Sequence, residues 1–264
     1  MWKKTAACMG DNCVDYYDET DEARFGGNPV NVAVHLAGLG VRTAYLGVVG
    51  NDVFGKAMIT EIAGRGVDVS HVQIAEGKTA LTHVSLQNGE RVFGDYEEGV
   101  METYRLTDED RNFIGSCDIV VTGIWGHCEN ELAYFHGRGV LTVFDCADKP
   151  DDKEALTAAP HTDYLFLSDD SAGDAELEDK LRRLRSRGAG VVIATRGEKG
   201  SMAYDGERFV SCGIVPCELV DTMGAGDSYI AGFAAAVLKG RPVDECMRAG
   251  AEQSSRTIGY NGAW

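Results

Sequence analysis

Val220-Asp221-Thr222-Met223-Gly224-Ala225-Gly226-Asp227-Ser228 leads from a strand-like run into an apolar helix, placing small residues and one carboxylate at that helix's N-terminus. Free N–H groups and the positive end of the helix dipole meet there, and Gly224 and Gly226 let backbone approach a phosphate closely. Asp227 then falls beside a bound phosphoryl group, where it can act as a base. Downstream, Ile230, Phe233, Ala234, Val237 and Leu238 recur at helical spacing, and Gly240 and Pro242 stop the helix. On spacing alone, a Gly-rich turn capped by Asp reads equally well.

A second Gly-rich helix start, Gly26-Gly27-Asn28-Pro29-Val30-Asn31-Val32-Ala33, predicts Asn28 as the cap, Pro29 at the first helical position and Asn31 in the first turn. This helix is expected to bury Val30, Val34 and Ala37 and to end at Gly38-Leu39-Gly40. Beyond about residue 105, apolar runs that suit buried strands alternate with amphipathic stretches, the βα rhythm of a parallel sheet. Strands are expected at 118–122, 141–146, 164–167 and 191–195, and helices at 108–114, 131–135 and 174–187. The first hundred residues break that rhythm. Residues 79–87 and 90–96 are β-rich and joined by Asn88-Gly89, a strong hairpin signal. With the polar stretch from Val14 to Arg24 they predict a small β flap over one edge of the main sheet, serving as a lid or as a plain surface hairpin.

The 264 residues, 44% hydrophobic and 25% charged, suit a single α/β domain over 1–264 with the flap formed from about 12–25 and 79–100. Forty-two acidic against 25 basic side chains give a net charge of -17, which disfavours nucleic acid or an anionic membrane as partner. An anionic substrate must therefore be met by local N–H groups, Arg, Lys or metal ions. The eight cysteines form no C-x-x-C pair, and Cys117 and Cys146 sit in apolar runs, so a reducing cytoplasm is expected. Thr5 to Met9 is too short for a signal h-region and reads as a first strand, and no window approaches the ~18 apolar residues of a membrane span. The P-loop motif, G-x-G-x-x-G after a strand, H-E-x-x-H and G-x-S-x-G are all absent. His127 follows a predicted strand, where a site residue could sit, but reads as a structural histidine.

Taken together, Gly26 to Gly40 and Asp221 to Phe233 resemble the paired signatures of the PfkB, or ribokinase-like, carbohydrate kinases, in matching order and separation. Gly10 to Asp15, Arg91 to Tyr96, Glu98 to Met101, Ile124 to His127 and Gly262-Ala263-Trp264 are further similar to the fructoselysine 6-kinase subfamily. The resemblance implies a three-layer α/β/α sandwich with a mostly parallel sheet and a small β lid. It also implies ATP with Mg2+ as the phosphoryl donor, and a primary hydroxyl of a fructose-amine, fructoselysine first, as acceptor. A kinase for fructose, ribose or adenosine, or a non-catalytic sugar or nucleotide sensor, stays open.

The same resemblance implies residue roles. Asp227 takes the proton of the attacking hydroxyl, with a carboxylate of ordinary pKa sufficing, and the Gly224, Ala225 and Gly226 N–H groups hold the phosphoryl. Asp15 and Asn31 bind sugar hydroxyls, Gly27 gives the substrate room, and Asp11 and Asn28 lie beside them. Arg91, Phe93, Asp95 and Tyr96 fall where the lid closes over the sugar, and Asp95, Glu97 or Glu98 would meet a substrate ammonium. Thr195, Gly197 and Gly200, with Ala251 and Ser255 of the C-terminal helix, would flank ATP. Asp221 and the Met223 carbonyl occupy positions where some members bind potassium. The N-x-x-E magnesium motif is replaced by Ser168-Asp169-Asp170-Ser171, so Asp169 or Asp170 substitutes or the ion rests on nucleotide and water. Lids of this family often pair between subunits, which implies a homodimer.

Overall fold

The computed structural model describes residues 4–87 and 90–264, with backbone alone for Leu86, Gln87, Glu90, Arg91 and Phe93. From the amino end, β1 (Thr5–Met9) passes into β2 (Cys13–Tyr17) and β3 (Glu22–Gly26), and α1 (Asn28–Gly38) returns the chain to β4 (Arg42–Leu46). Next, β5 (Val48–Gly50), α2 (Val53–Gly64) and β6 (Gln73–Ala75) lead to the long pair β7 (Leu81–Gln87) and β8 (Glu90–Glu97). Strands and helices then alternate through α3 (Asp108–Ile114), β9 (Ile119–Gly123), α4 (Leu132–His136), β10 (Leu141–Asp145), α5 (Lys153–Ala158), β11 (Tyr164–Ser168), α6 (Asp174–Ser186) and β12 (Val191–Thr195). Strands β13 (Ser201–Tyr204) and β14 (Phe209–Cys212) precede the closing helices α7 (Ala225–Val237) and α8 (Val243–Thr257).

The main sheet has eight strands in the order β14-β13-β12-β11-β10-β9-β1-β4. It is parallel from β4 through β12 and antiparallel at β13 and β14. Successive side chains point to opposite faces, so each buried strand feeds two cores. Ala7, Val120, Phe144, Leu165 and Val192 pack on one face with Leu177, Leu181 and Leu184 of α6. Ala6, Cys8, Ile119, Val143, Phe166 and Ile193 pack on the other with α1, α7 and α8. Helices on both faces make this a three-layer α/β/α sandwich. Phe233 of α7 meets Phe166 edge-on at 5.2 Å, which pins α7 to the sheet.

A second sheet, ordered β3-β2-β7-β8, lies on the segments expected to form the flap. In it β2 pairs antiparallel with β3 and parallel with β7, and β7 pairs antiparallel with β8. The Asn88-Gly89 link lies outside the described residues.

The later strands and helices fall within about one residue of their expected bounds, and β12 and α3 match them. The α3 start is fixed by a capping box between Thr107 and Asp110. In the stretch from β4 to β6 the sequence reading assigns no elements. Helix α2 hides because Gly55 interrupts its apolar pattern, and Gly55 is required there because a Cβ would lie 2.2 Å from the Gly50 carbonyl. One expectation is corrected at α1. Gly27, at φ 113, is its N-cap without a side-chain bond, and Asn28 is the first helical residue. The Asn28 carboxamide is drawn away from capping by carboxylates across the cleft. Among the described residues, no helix is long and apolar enough to cross a membrane.

Candidate active site

Because β1, β9, β10 and β12 run parallel, their carboxyl ends share one rim, the place where open α/β sheets bind ligands. Asp11 follows β1, Gly123 ends β9, Asp145 ends β10 and Thr195 ends β12. The N-termini of α1 and α7 converge on the same rim. Gly224 caps α7 in the left-handed conformation at φ 71, which places Asp227 in the first turn. A Cβ at Gly224 would lie 2.7 Å from that of Ala263, so the C-terminal segment packs directly on the cradle.

Asn28 and Asn31 stand one helical turn apart on α1 and present their carboxamides to the same partner. Asn28 Nδ2 donates to Asp227 Oδ1 at 2.8 Å, and Asn31 Nδ2 donates to Asp227 Oδ2 at 2.7 Å. Asn28 Nδ2 also donates to Asp145 Oδ2 at 2.8 Å, and the Asn28 backbone N–H donates to Asp11 Oδ2 at 3.1 Å. Trp264 Nε1 donates to Asn31 Oδ1 at 2.8 Å. Asn28 thus sits among three carboxylates.

Those carboxylates are not ordinary. Burial pushes Asp227 up to about 6, although part of its carboxyl group reaches the cleft surface and the two carboxamide N–H bonds pull the other way. Burial, reinforced by the charge of Asp227, pushes Asp11 up to about 6 and Asp145 up to about 7. The expectation of an ordinary pKa for Asp227 is therefore corrected: walling a carboxylate off from water disfavours its charged form. Asp11 Oδ1 and Asn28 Oδ1 are buried acceptors with no donor among the described residues.

Beside Asn31 opens a cavity of about 400 Å³ bordered by Asp15, Arg24, Gly27, Glu61, Met223 and Trp264. Small residues at two helix starts and a carboxylate held by two carboxamides suit a polar molecule and a phosphoryl group. Residues 6–264 match the family model described as pfkB family carbohydrate kinase. The chain belongs to the pfkB family of carbohydrate kinases. It is 43% identical over 261 residues to the fructoselysine 6-kinases of Shigella flexneri and Escherichia coli, covering 99% of this chain and 100% of each relative. Identity to the fructosamine kinase FrlD of Bacillus subtilis is 31% over 260 residues, covering 97% of this chain and 91% of the relative. The structure of Arabidopsis thaliana ribokinase complexed with ribose and ATP superposes with a TM-score of 0.91 at 22% identity, covering 99% of this chain and 94% of that one. The fold is ribokinase-like and the chain is an ATP-dependent sugar kinase.

The remaining expected residues of the pfkB-family kinase are placed unevenly. Tyr96 is 53% exposed on β8, opposite Thr82 of β7, and burial of its remainder, with the charges of Cys13, Asp11 and Glu98, pushes its hydroxyl pKa up. The side chains of Arg91 and Phe93 lie outside the described residues. His127, read from the sequence as a structural histidine, is exposed, stands at φ 53 and has its ring nitrogen on Glu98 at 2.5 Å. Glu97 is taken by Lys78 at 2.8 Å.

Of the residues expected to flank ATP, Thr195 ends β12 and Gly197 stands at φ 54, where a Cβ would meet Asp170 Cβ at 3.9 Å. Gly200 is required by packing, since a Cβ would lie 2.2 Å from the Cys212 carbonyl. Ala251 is 8% exposed and belongs to the core between α7 and α8, while Ser255, one turn on, is half-buried. No hydrogen bond among the described residues joins Thr195 to Ala251 or Ser255. Both Asp221 oxygens accept backbone N–H groups, from Met223 at 3.0 Å and Gly262 at 2.8 Å, which ties the C-terminal segment to the cradle. Asp169 is committed to Lys180, Ser171 and the Ala172 N–H.

Asp145 and Trp264 carry no role in the sequence reading. The available signal for Asp145 was a lone carboxylate ending a buried parallel strand. For Trp264 local sequence offers none, because its partner is 233 residues away.

Proposed function

We propose that the chain transfers the γ-phosphoryl of ATP to the 6-hydroxyl of fructoselysine. The observation that carries this reading is the full-length 43% identity to fructoselysine 6-kinases. The site is built to suit it. Asp227, gripped by Asn28 and Asn31, takes the hydroxyl proton as the sugar oxygen bonds to phosphorus and the bond from phosphorus to ADP breaks. The amino end of α7, with Gly224, Ala225 and Gly226, meets the charge of the transferring group. Gly226 is exposed there, whereas the Ala225 N–H is shared with the Thr222 carbonyl at 3.2 Å.

Asp11 Oδ1 is buried without a partner among the described residues, and a sugar hydroxyl would satisfy it. Asp15, Gly27 and Asn31 border the cavity beside the base, and Arg91, Phe93 and Tyr96 belong to the strand pair that would close over it. Of the acids considered for the substrate ammonium, Glu97 is paired with Lys78 and Glu98 with His127, and Asp95, exposed on β8, stays beside them as a candidate. Thr195, Gly197, Gly200, Ala251 and Ser255 remain the proposed nucleotide side.

Among the described residues no group of three or more His, Cys, Asp and Glu suits a metal ion, and Asp169 is already paired. With Asp169 engaged, Asp170 or the nucleotide and water would hold Mg2+, which commonly takes only one or two carboxylates from the protein. Asp221 and the Met223 carbonyl stay as the candidate potassium ligands. Strands β3 and β8 end the second sheet with open edges, and we propose that a second copy covers one in a cytoplasmic homodimer.

A coupled ADP-release assay over fructoselysine, other fructose-amines, fructose, fructose 6-phosphate, ribose and adenosine tests the reading. Rapid turnover of fructoselysine alone is expected. Preference for any other acceptor would replace the substrate, and ATP binding without turnover of any acceptor would make the protein a sensor.

A further inference from the structure

Asp145 lies outside both glycine-rich segments, and nothing in the transfer step described above uses it. It is nonetheless fixed at both oxygens. Oδ1 accepts the Ala147 N–H at 2.9 Å, in a local turn where Ala147 holds φ 51, and Oδ2 accepts from Asn28 Nδ2 at 2.8 Å. The second hydrogen of that same Nδ2 goes to Asp227 Oδ1, also at 2.8 Å. A carboxamide has two donors on one atom, so the direction of one bond dictates the direction of the other.

The far side of the amide is constrained as well. Asn28 Oδ1 faces the bare Cα of Gly123, where a Cβ would come within 2.7 Å, and no described donor meets it. Rotating the amide by half a turn would put Oδ1 against two carboxylate oxygens, a repulsive contact in a water-poor site. Asp227 alone would leave the amide free to swing about a single bond. Asp145 removes that freedom from a strand end that the sheet holds rigid.

We propose that Asp145 is a positioning residue for phosphoryl transfer: it holds one N–H of the Asn28 carboxamide so that the other is aimed at Asp227. The inference rests on the kinase reading only for its rate consequence; the coupling between Asp145 and Asn28 is a property of the folded chain.

The test is a double-mutant cycle of Asp145→Ala, Asn28→Ala and the pair, using an acceptor that the wild-type enzyme turns over. Loss of alignment at the base predicts a ~10-fold lower kcat for Asp145→Ala, with KM for sugar and ATP held within ~2-fold. In the Asn28→Ala background the same change should cost less than ~2-fold, because the route through the amide is already gone. An undiminished loss in that background, or a raised KM with kcat intact, overturns the proposal. A second readout does not depend on turnover. The Asn28 side-chain amide resonances, assigned with Asn28→Ala, should shift in Asp145→Ala, and unshifted resonances overturn the proposal too. A wild-type enzyme inert toward fructoselysine would sink the substrate assignment and leave these resonances to decide.

Discussion

Trp264 donates its indole N–H to Asn31 Oδ1 at 2.8 Å, and the other end of that carboxamide donates to Asp227 at 2.7 Å. The base is therefore tied to the last described residue of the chain through one side chain. The tie has its own supports. His35 donates from Nε2 to the Ala263 carbonyl at 2.8 Å and accepts at Nδ1 from Gln253 at 3.3 Å, which defines a neutral ring whose pKa burial lowers.

Trp264→Phe removes the N–H while leaving a ring near the Arg65 guanidinium, 5.0 Å away in the native protein. One hydrogen bond of ~1 kcal/mol corresponds to a ~5-fold lower kcat, with ATP affinity unchanged. Steady-state kinetics beside calorimetric ATP titration measure both. A kcat equal to that of the native enzyme would separate Trp264 from the base.

Asp227→Asn keeps the shape of the side chain but not its proton affinity. A kcat lowered by ~10²-fold or more, with ATP binding retained, is expected for loss of a general base. An active Asn variant would mean that another group accepts the proton.

Glycines 224 and 226 separate packing from phosphate contact. Gly224→Ala forces a Cβ into a left-handed residue at φ 71 and against Ala263, so both thermal midpoint and kcat should drop, the backbone strain alone being about 1–2 kcal/mol. Gly226 is helical with nothing within 4 Å of a built Cβ, so Gly226→Ala should keep the thermal midpoint. It should lower activity by crowding the phosphoryl. Full activity in Gly226→Ala would remove that residue from the cradle.

Stability and activity should respond to pH with opposite slopes. Asp227 and Asp11 at about 6, and Asp145 at about 7, hold protons in the folded state well above the carboxylate range of an unfolded chain near 4. Between about pH 4 and 7 the folded state therefore binds more protons, and raising pH through that window lowers stability. His35 acts in the opposite sense, and so do the carboxylates held below their ordinary range, Asp52, Asp68, Asp110, Asp118, Asp169, Asp205 and Glu97, whose contribution falls mainly below about pH 5. Activity needs ionised Asp227, so kcat/KM should rise from pH 5 to 7 while the thermal midpoint of the free enzyme declines. A midpoint that climbs over that range would contradict the raised carboxylates.

Much of the fold was legible because local rules and global packing agree. The continuous apolar runs of β9 to β12 are what burial on both sheet faces requires, and Thr107 with Asp110 writes the start of α3 into four residues. Asp227 was legible for the same reason, since a glycine-rich helix start with an acid in its first turn is a local pattern. Asn28 was misread because capping is also a local pattern, and here it lost to carboxylates contributed by other strand ends.

The sequence by itself determined the strand–helix alternation from β9 to β12 and the two glycine-rich helix starts, with Asp227 in the first turn of the second, because each depends on neighbours within a turn or a strand. Only the tertiary structure decided what surrounds that base. Asn28 meets Asp227 across 199 residues and Asp145 across 117. Such contacts exist only once parallel strands and two helix ends converge on one rim, and the raised carboxylate pKa values exist only once that convergence has excluded water.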